Sequence, residues 1–215
     1  PLNPPEEVEL ARLLVDIHPW AGMVRFARSG GEAVAMAVRI ARAYTRKDVI
    51  LFCGYHGWHD WYLSANLAED TALDGHLIPG LDPAGVPRAL AGTSFPFLYN
   101  DTDGFLDLFA RHKDEIGGIV MEPIRGNTPV PGFFEIIEEK AAAHGIPLII
   151  DEISAGWRIN LGGAHLNLGI HPDIAVFAKG MSNGYPMAAV IGKEDVMQAA
   201  QSTFISSTYW TERIG

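Results

Sequence analysis

Cysteine is almost missing from this chain. Cys53 stands alone among 215 residues, which excludes an internal disulfide and fits a reducing compartment. Long hydrophobic runs are also missing: stretches such as Ile146–Ile150 fall far short of the roughly 18 residues a membrane-spanning helix needs. The N-terminal PLNPPEEVEL lacks the basic-then-apolar order of a signal peptide, so the expectation is a soluble, cytoplasmic protein without a membrane partner. Positive charge is scarce as well. Sixteen Lys and Arg against 26 Asp and Glu leave a formal charge of −10 with no Lys/Arg-rich stretch, which argues against nucleic acid and anionic membranes as partners. Internal repeats, low-complexity tracts and charged tails are absent too. What is present is apolar mass: 48% hydrophobic against 20% charged residues excludes disorder as the main state and allows a sizeable core.

That mass alternates. Short apolar or β-branched runs, predicted as strands, are Met23–Ala27, Val49–Phe52, Phe95–Tyr99, Gly118–Met121, Pro147–Ile150, Ile174–Ala178 and Ala188–Ile191. Between them lie stretches of helical period: Glu6–Ile17, Glu32–Tyr44, Phe105–Lys113, Phe133–His144 and Glu194–Gln201. In Glu32–Tyr44 the residues Ala33, Met36, Ala37, Ile40, Ala41 and Tyr44 share one face, with Arg39 and Arg42 off it. Strands separated by helices imply crossover connections. The expectation is a three-layer α/β domain, a mostly parallel sheet of about seven strands with helices on both faces. Glu69–Ser94, rich in Gly, Pro and Asp, interrupts this rhythm and reads as a long loop, a type that is more often functional or disordered than decorative.

Open parallel sheets bind ligands beyond the carboxyl ends of their strands, so the residues after each apolar run carry most information. Four such ends are polar: Ser29-Gly30-Gly31-Glu32, Tyr55-His56-Gly57, Asp151-Glu152 and Lys179-Gly180. The first joins a strand to a helix, where small residues admit close backbone approach and first-turn N–H groups await an anion such as a phosphate. A plain turn would read the same way. Neither the phosphate-loop nor the dinucleotide glycine fingerprint is present, which argues against nucleoside triphosphates and nicotinamide cofactors. Asp151 follows a buried apolar run, where a carboxylate is costly unless a cation or hydrogen-bond donor meets it. Lys179 leaves a similar run at what should be a partly desolvated rim, the setting of imine-forming lysines. Each alone could be a solvated loop charge. Together, an imine-forming lysine, a buried acid to keep a heterocyclic nitrogen protonated and an anion nest are the parts that pyridoxal 5′-phosphate requires.

The same four elements resemble the class III pyridoxal-phosphate aminotransferases. Ser29-Gly30-Gly31-Glu32-Ala33 resembles that family's S-G-[TS]-E-A, Tyr55-His56-Gly57 its Y-H-G, Asp151-Glu152-Ile153 its D-E-V, and Ala178-Lys179-Gly180 the segment around its imine lysine. Order and wide spacing agree over nearly the whole chain. Glu122-Pro123 with Gly126-Asn127 is most similar to the glutamate-1-semialdehyde aminomutase branch and related sugar-pathway aminotransferases.

The resemblance implies a transaminase moving an amino group between a small-molecule amino donor and a keto or aldehyde acceptor, or an intramolecular aminomutase. It implies that Lys179 holds the cofactor and shuttles the proton, and that Asp151 pairs with the pyridine nitrogen. Tyr55 and Ile153 would flank the ring. Ser29, Gly30 and Gly31 would bind the phosphate, Asn127 the ring hydroxyl, with Glu122 close by and His56 lining the pocket. Thr208, with Thr211 nearly as good a candidate, would reach the phosphate site of a second subunit in a homodimer that shares its active sites. It also implies that residues 1–215 form the large cofactor-binding domain, truncated at both ends, with the small C-terminal domain missing; a non-catalytic remnant is the alternative of another class.

Departures from the family pattern are Gly31 in place of Thr or Ser, and Asp151–Arg158 reading D-E-I-S-A-G-W-R where the family has D-E-V-x-T-G-F-R. A zinc site from Cys53, His56, His59 and Asp60 is the weaker reading, because no second ligand pair follows elsewhere. Trp58, Trp61, Tyr62, Trp157, Tyr209 and Trp210 read as core or subunit interface rather than a sugar-stacking surface.

Overall fold

The computed structural model describes residues 3–209, and its centre is one seven-stranded sheet. The strands are β1 (Met23–Ala27), β2 (Val49–Cys53), β3 (Ser94–Pro96), β4 (Ile116–Met121), β5 (Leu148–Asp151), β6 (Ile174–Phe177) and β7 (Ala188–Gly192). Their order across the sheet is β1-β7-β6-β5-β4-β2-β3. All neighbours pair in parallel except β7, which runs antiparallel to both β1 and β6. Strands β2, β4, β5, β6 and β7 are buried at every residue, which is why they read as continuous apolar runs.

The longer helices are α1 (Pro5–Ile17), α2 (Gly30–Thr45), α5 (Thr102–His112) and α6 (Phe133–Ala143); α3 (Asp60–Leu63), α4 (Ala65–Ala68), α7 (Ala164–Leu168) and α8 (Glu194–Met197) are one-turn elements. Successive strand residues face opposite layers. Ile50, Phe52, Val120, Ile149 and Val176 pack with Val34, Ala37, Ile40 and Ala41 of α2. Their neighbours Leu51, Cys53, Ile119, Leu148 and Ile150 pack with Phe105 and Phe109 of α5 and Phe133 and Ile137 of α6. Leu14 of α1 covers Ala175 and Phe177 of β6 in a third cluster. The sheet is therefore covered on both faces, as the three-layer reading requires.

The predicted strand Phe95–Tyr99 is corrected to Ser94–Pro96. Pro96 has no N–H to donate, β3 has only β2 as neighbour among the described residues, and the chain turns away at Asn100 with φ 66°. Helix α5 begins three residues before the apolar period does, because the Asp101 carboxylate accepts the Gly104 N–H at 2.9 Å and caps it. The predicted helix Glu194–Gln201 is α8 continued by a 3-10 turn at Gln198–Gln201. The long loop is pinned rather than free: Leu73, His76 and Val86 are buried, and the Asn66 side chain donates to Leu81 O at 2.7 Å and accepts Leu73 N–H at 2.9 Å. Among the described residues no helix is long and apolar enough to cross a membrane.

Candidate active site

Strand β1 ends at Ala27, and α2 starts at Gly30. The Ser29 Oγ accepts the Glu32 N–H at 3.3 Å while the Glu32 carboxylate accepts the Arg28 N–H at 2.8 Å. This two-way cap fixes the turn and leaves the N–H groups of Gly30 and Gly31 without an intrahelical acceptor, aimed outward where the helix dipole favours an anion.

Two strand tips face this turn. Asp151 ends β5 opposite Val176 of β6, and Lys179 follows two residues after β6 ends. Asp151 is 3% exposed, and both oxygens are engaged: Oδ2 accepts from His56 Nδ1 at 2.8 Å and Oδ1 from the Ile153 N–H at 3.0 Å. The donors that a buried carboxylate requires are thus supplied, one of them by a histidine 95 positions upstream. His56 is buried in turn, its Nε2 3.2 Å from the Cys53 carbonyl. Lys179 has φ 46°, and its Nζ donates to Ser154 Oγ at 2.8 Å. The residue is exposed, which corrects the expectation of a partly desolvated rim.

These groups line one open cleft of about 610 Å³. Its walls include Ser29, Gly30, Gly31, Tyr55, His56, Asp151, Ile153 and Lys179 from the sequence reading, so eight of the candidate residues meet in one place. Arg28, His59, Ser154 and Tyr185 line it too, without having been singled out for that role. Ile153 sits directly against Gly30, where a Cβ would fall 2.7 Å from its Cδ1.

The other candidates lie elsewhere. Glu122 is outside the cleft wall but touches it, accepting the Tyr55 N–H at 3.1 Å and pairing with Arg125 at 2.5 Å. Asn127 is exposed beside Arg125 and Thr208 is exposed in a turn, and neither lines the cleft. Thr211 and Trp210 lie outside the described residues. Trp61, Tyr62 and Tyr209 are buried, whereas Trp58 is 71% exposed at the cleft rim. Cys53 is buried in β2, and burial pushes its thiol up to about 12. Among the described residues no three metal-ligating side chains converge.

One buried cluster had no signal in the sequence. The Trp20 indole donates to His165 Nε2 at 3.1 Å, so the proton of that ring sits on Nδ1, which donates to Glu152 Oε1 at 2.8 Å. Glu152, next to Asp151, is thereby tied to the loop that follows α1.

Comparison with known proteins decides the family. The aminotransferase class-III family model matches residues 2–214. The chain belongs to the class III aminotransferases. It is 35% identical over 213 residues to a 3-aminobutyryl-CoA aminotransferase of Cloacimonas acidaminovorans, covering 96% of this chain and 47% of that one. It is 36% identical over 200 residues to a glutamate-1-semialdehyde 2,1-aminomutase of Methanospirillum hungatei, covering 90% and 47%. A solved transaminase with PLP bound superposes with a TM-score of 0.85 at 29% identity, over 98% of this chain and 51% of that one. The chain spans about half the length of the curated relatives it matches.

Proposed function

We infer that this chain is the cofactor-binding part of a pyridoxal-phosphate-dependent aminotransferase that moves an amino group between a small amino donor and a keto or aldehyde acceptor. One observation carries the reading: a buried acid with a hydrogen bond at each oxygen, a lysine and an unsatisfied helix N-terminus line a single cleft in a chain of this family.

The residues fit the cofactor. The N–H groups of Gly30 and Gly31 and the Ser29 hydroxyl supply donors for a phosphate, and the Asp151 carboxylate supplies the counter-charge for a protonated ring nitrogen. When bound, pyridoxal 5′-phosphate supplies the electron sink that stabilises negative charge at the amino-bearing carbon. Lys179 Nζ holds the cofactor and then takes and returns the proton at that carbon. His56 and the Ile153 N–H keep the Asp151 carboxylate in orientation. Tyr55 and Ile153 confine the ring by contact on its faces. Asn127 and Glu122 would act at the ring hydroxyl side, and Thr208 at the phosphate site of a second copy in a homodimer; these roles rest on the family resemblance.

The test is the amino half-reaction. Cofactor-loaded chain mixed with an amino donor should release the keto product, Asp151→Asn should retain the cofactor yet slow release by orders of magnitude, and Lys179→Ala should abolish it. Unchanged release in Asp151→Asn would remove the electron-sink role, and release without Lys179 would remove the reading. The similarity to an aminomutase favours a second reading, exchange within one molecule. It predicts turnover of an amino aldehyde with no separate acceptor.

A further inference from the structure

Position 31 departs from the family, and the structure supplies a reason. A Cβ placed on Gly31 would fall 2.7 Å from Cε1 and 2.8 Å from Nδ1 of His59, closer than real side chains approach. The His59 ring therefore fills the volume that a Ser or Thr at position 31 would need. Gly57 lets the two segments come this near, since its own Cβ would lie 3.2 Å from Gly31 Cα. His59 is held from both sides: its carbonyl accepts the Tyr62 N–H at 2.9 Å at the start of α3, and Trp58 stacks on its ring at 4.9 Å. The ring lines the cleft, and Nδ1, the ring nitrogen nearer Gly31, is closed off from solvent with no hydrogen-bond partner among the described residues. A nitrogen closed off in this way cannot reach a ligand in the cleft, so the N–H this ring can offer there is that of Nε2, with Nδ1 unprotonated against Gly31.

We propose that His59 replaces the hydroxyl missing at position 31, so that its Nε2–H joins the N–H groups of Gly30 and Gly31 in holding the phosphate monoester end of the cofactor. The inference rests on the cofactor reading above. A neutral imidazole carries one N–H in either tautomer, so the exchange of hydroxyl for ring conserves a donor. A side chain at position 31 would therefore have to displace the His59 ring from its place, and a small residue at 59 would make room for it.

Equilibrium binding of pyridoxal 5′-phosphate and of pyridoxal, which lacks the phosphate, tests this without turnover. His59→Ala should raise the Kd for pyridoxal 5′-phosphate about tenfold or more, the effect of losing a donor to a charged group, and leave pyridoxal unchanged. Gly31→Ser alone should weaken the phosphate form, because the new side chain collides with the ring. The double variant Gly31→Ser/His59→Ala should return to within about threefold of the parent. An unchanged Kd in His59→Ala, an equal loss for both ligands, or losses that simply add in the double variant would overturn the proposal. Labelling of Lys179 by borohydride separates the two layers. If the parent chain takes an adduct while His59→Ala binds as well as the parent, only the His59 role falls; if the parent takes none, the cofactor reading falls and the His59 role with it.

Discussion

Acid should loosen the long loop through one residue, His76. Its ring is buried, its Nδ1 accepts the Gly54 N–H at 3.3 Å, and its carbonyl accepts from the Arg125 guanidinium. Burial foremost, then the charges of Arg125 and His56, lower its pKa from 6.5 to about 4. Between those values the unfolded chain binds a proton that the folded chain refuses. The associated stability is therefore complete above pH 6.5 and is lost as pH falls towards 4. At roughly 1.4 kcal/mol per pKa unit, discounted for residual solvent access, the loss is about 2 kcal/mol by about pH 4.5. That is a sizeable part of the roughly 5–15 kcal/mol that holds a typical protein folded. His76→Gln keeps an acceptor for Gly54 and cannot titrate. Urea denaturation of parent and variant at neutral pH and near pH 4.5 should show the parent losing about 2 kcal/mol more than the variant. Parallel losses would refute the assignment of a buried neutral ring.

Other perturbations follow from local geometry. Gly54 has φ 128°, and an added Cβ would lie 2.5 Å from Glu122 Oε2, so Gly54→Ala should cost more than about 2 kcal/mol in thermal denaturation; an unshifted Tm would contradict this. Ser29→Ala removes the acceptor for the Glu32 N–H and should destabilise the chain by about 1 kcal/mol. The Cys53 thiol, pushed up to about 12 by burial, should resist thiol reagents at neutral pH until denaturant is added; rapid labelling of the folded chain would show the strand tip to be open.

The reach of the sequence can be judged element by element. Strands β5 and β6 were legible because parallel strands buried on both faces leave unbroken apolar runs, and Asp151 and Lys179 stood out as polar residues directly after them. The direction of β7 was not legible, since an antiparallel strand buried on both faces shows the same run. Helix α7, with five residues, is too short to display a period. The pairing of His56 with Asp151 could not be read from spacing. It exists because β2, β4 and β5 lie side by side, which brings residues 95 positions apart to neighbouring tips. The Glu152–His165–Trp20 cluster was hidden for the same reason. His59 entered the sequence reading as a possible zinc ligand; its contact with Gly31 emerges once α2 and the β2–α3 loop are packed together.

The most direct measurement is covalent capture. The chain is mixed with pyridoxal 5′-phosphate, reduced with borohydride, cleaved and examined by mass spectrometry for the modified residue. The account predicts one phosphopyridoxyl group, on the peptide containing Lys179, absent from Lys179→Ala and displaced by no other lysine. Modification spread over surface lysines with Lys179 unmarked would contradict it.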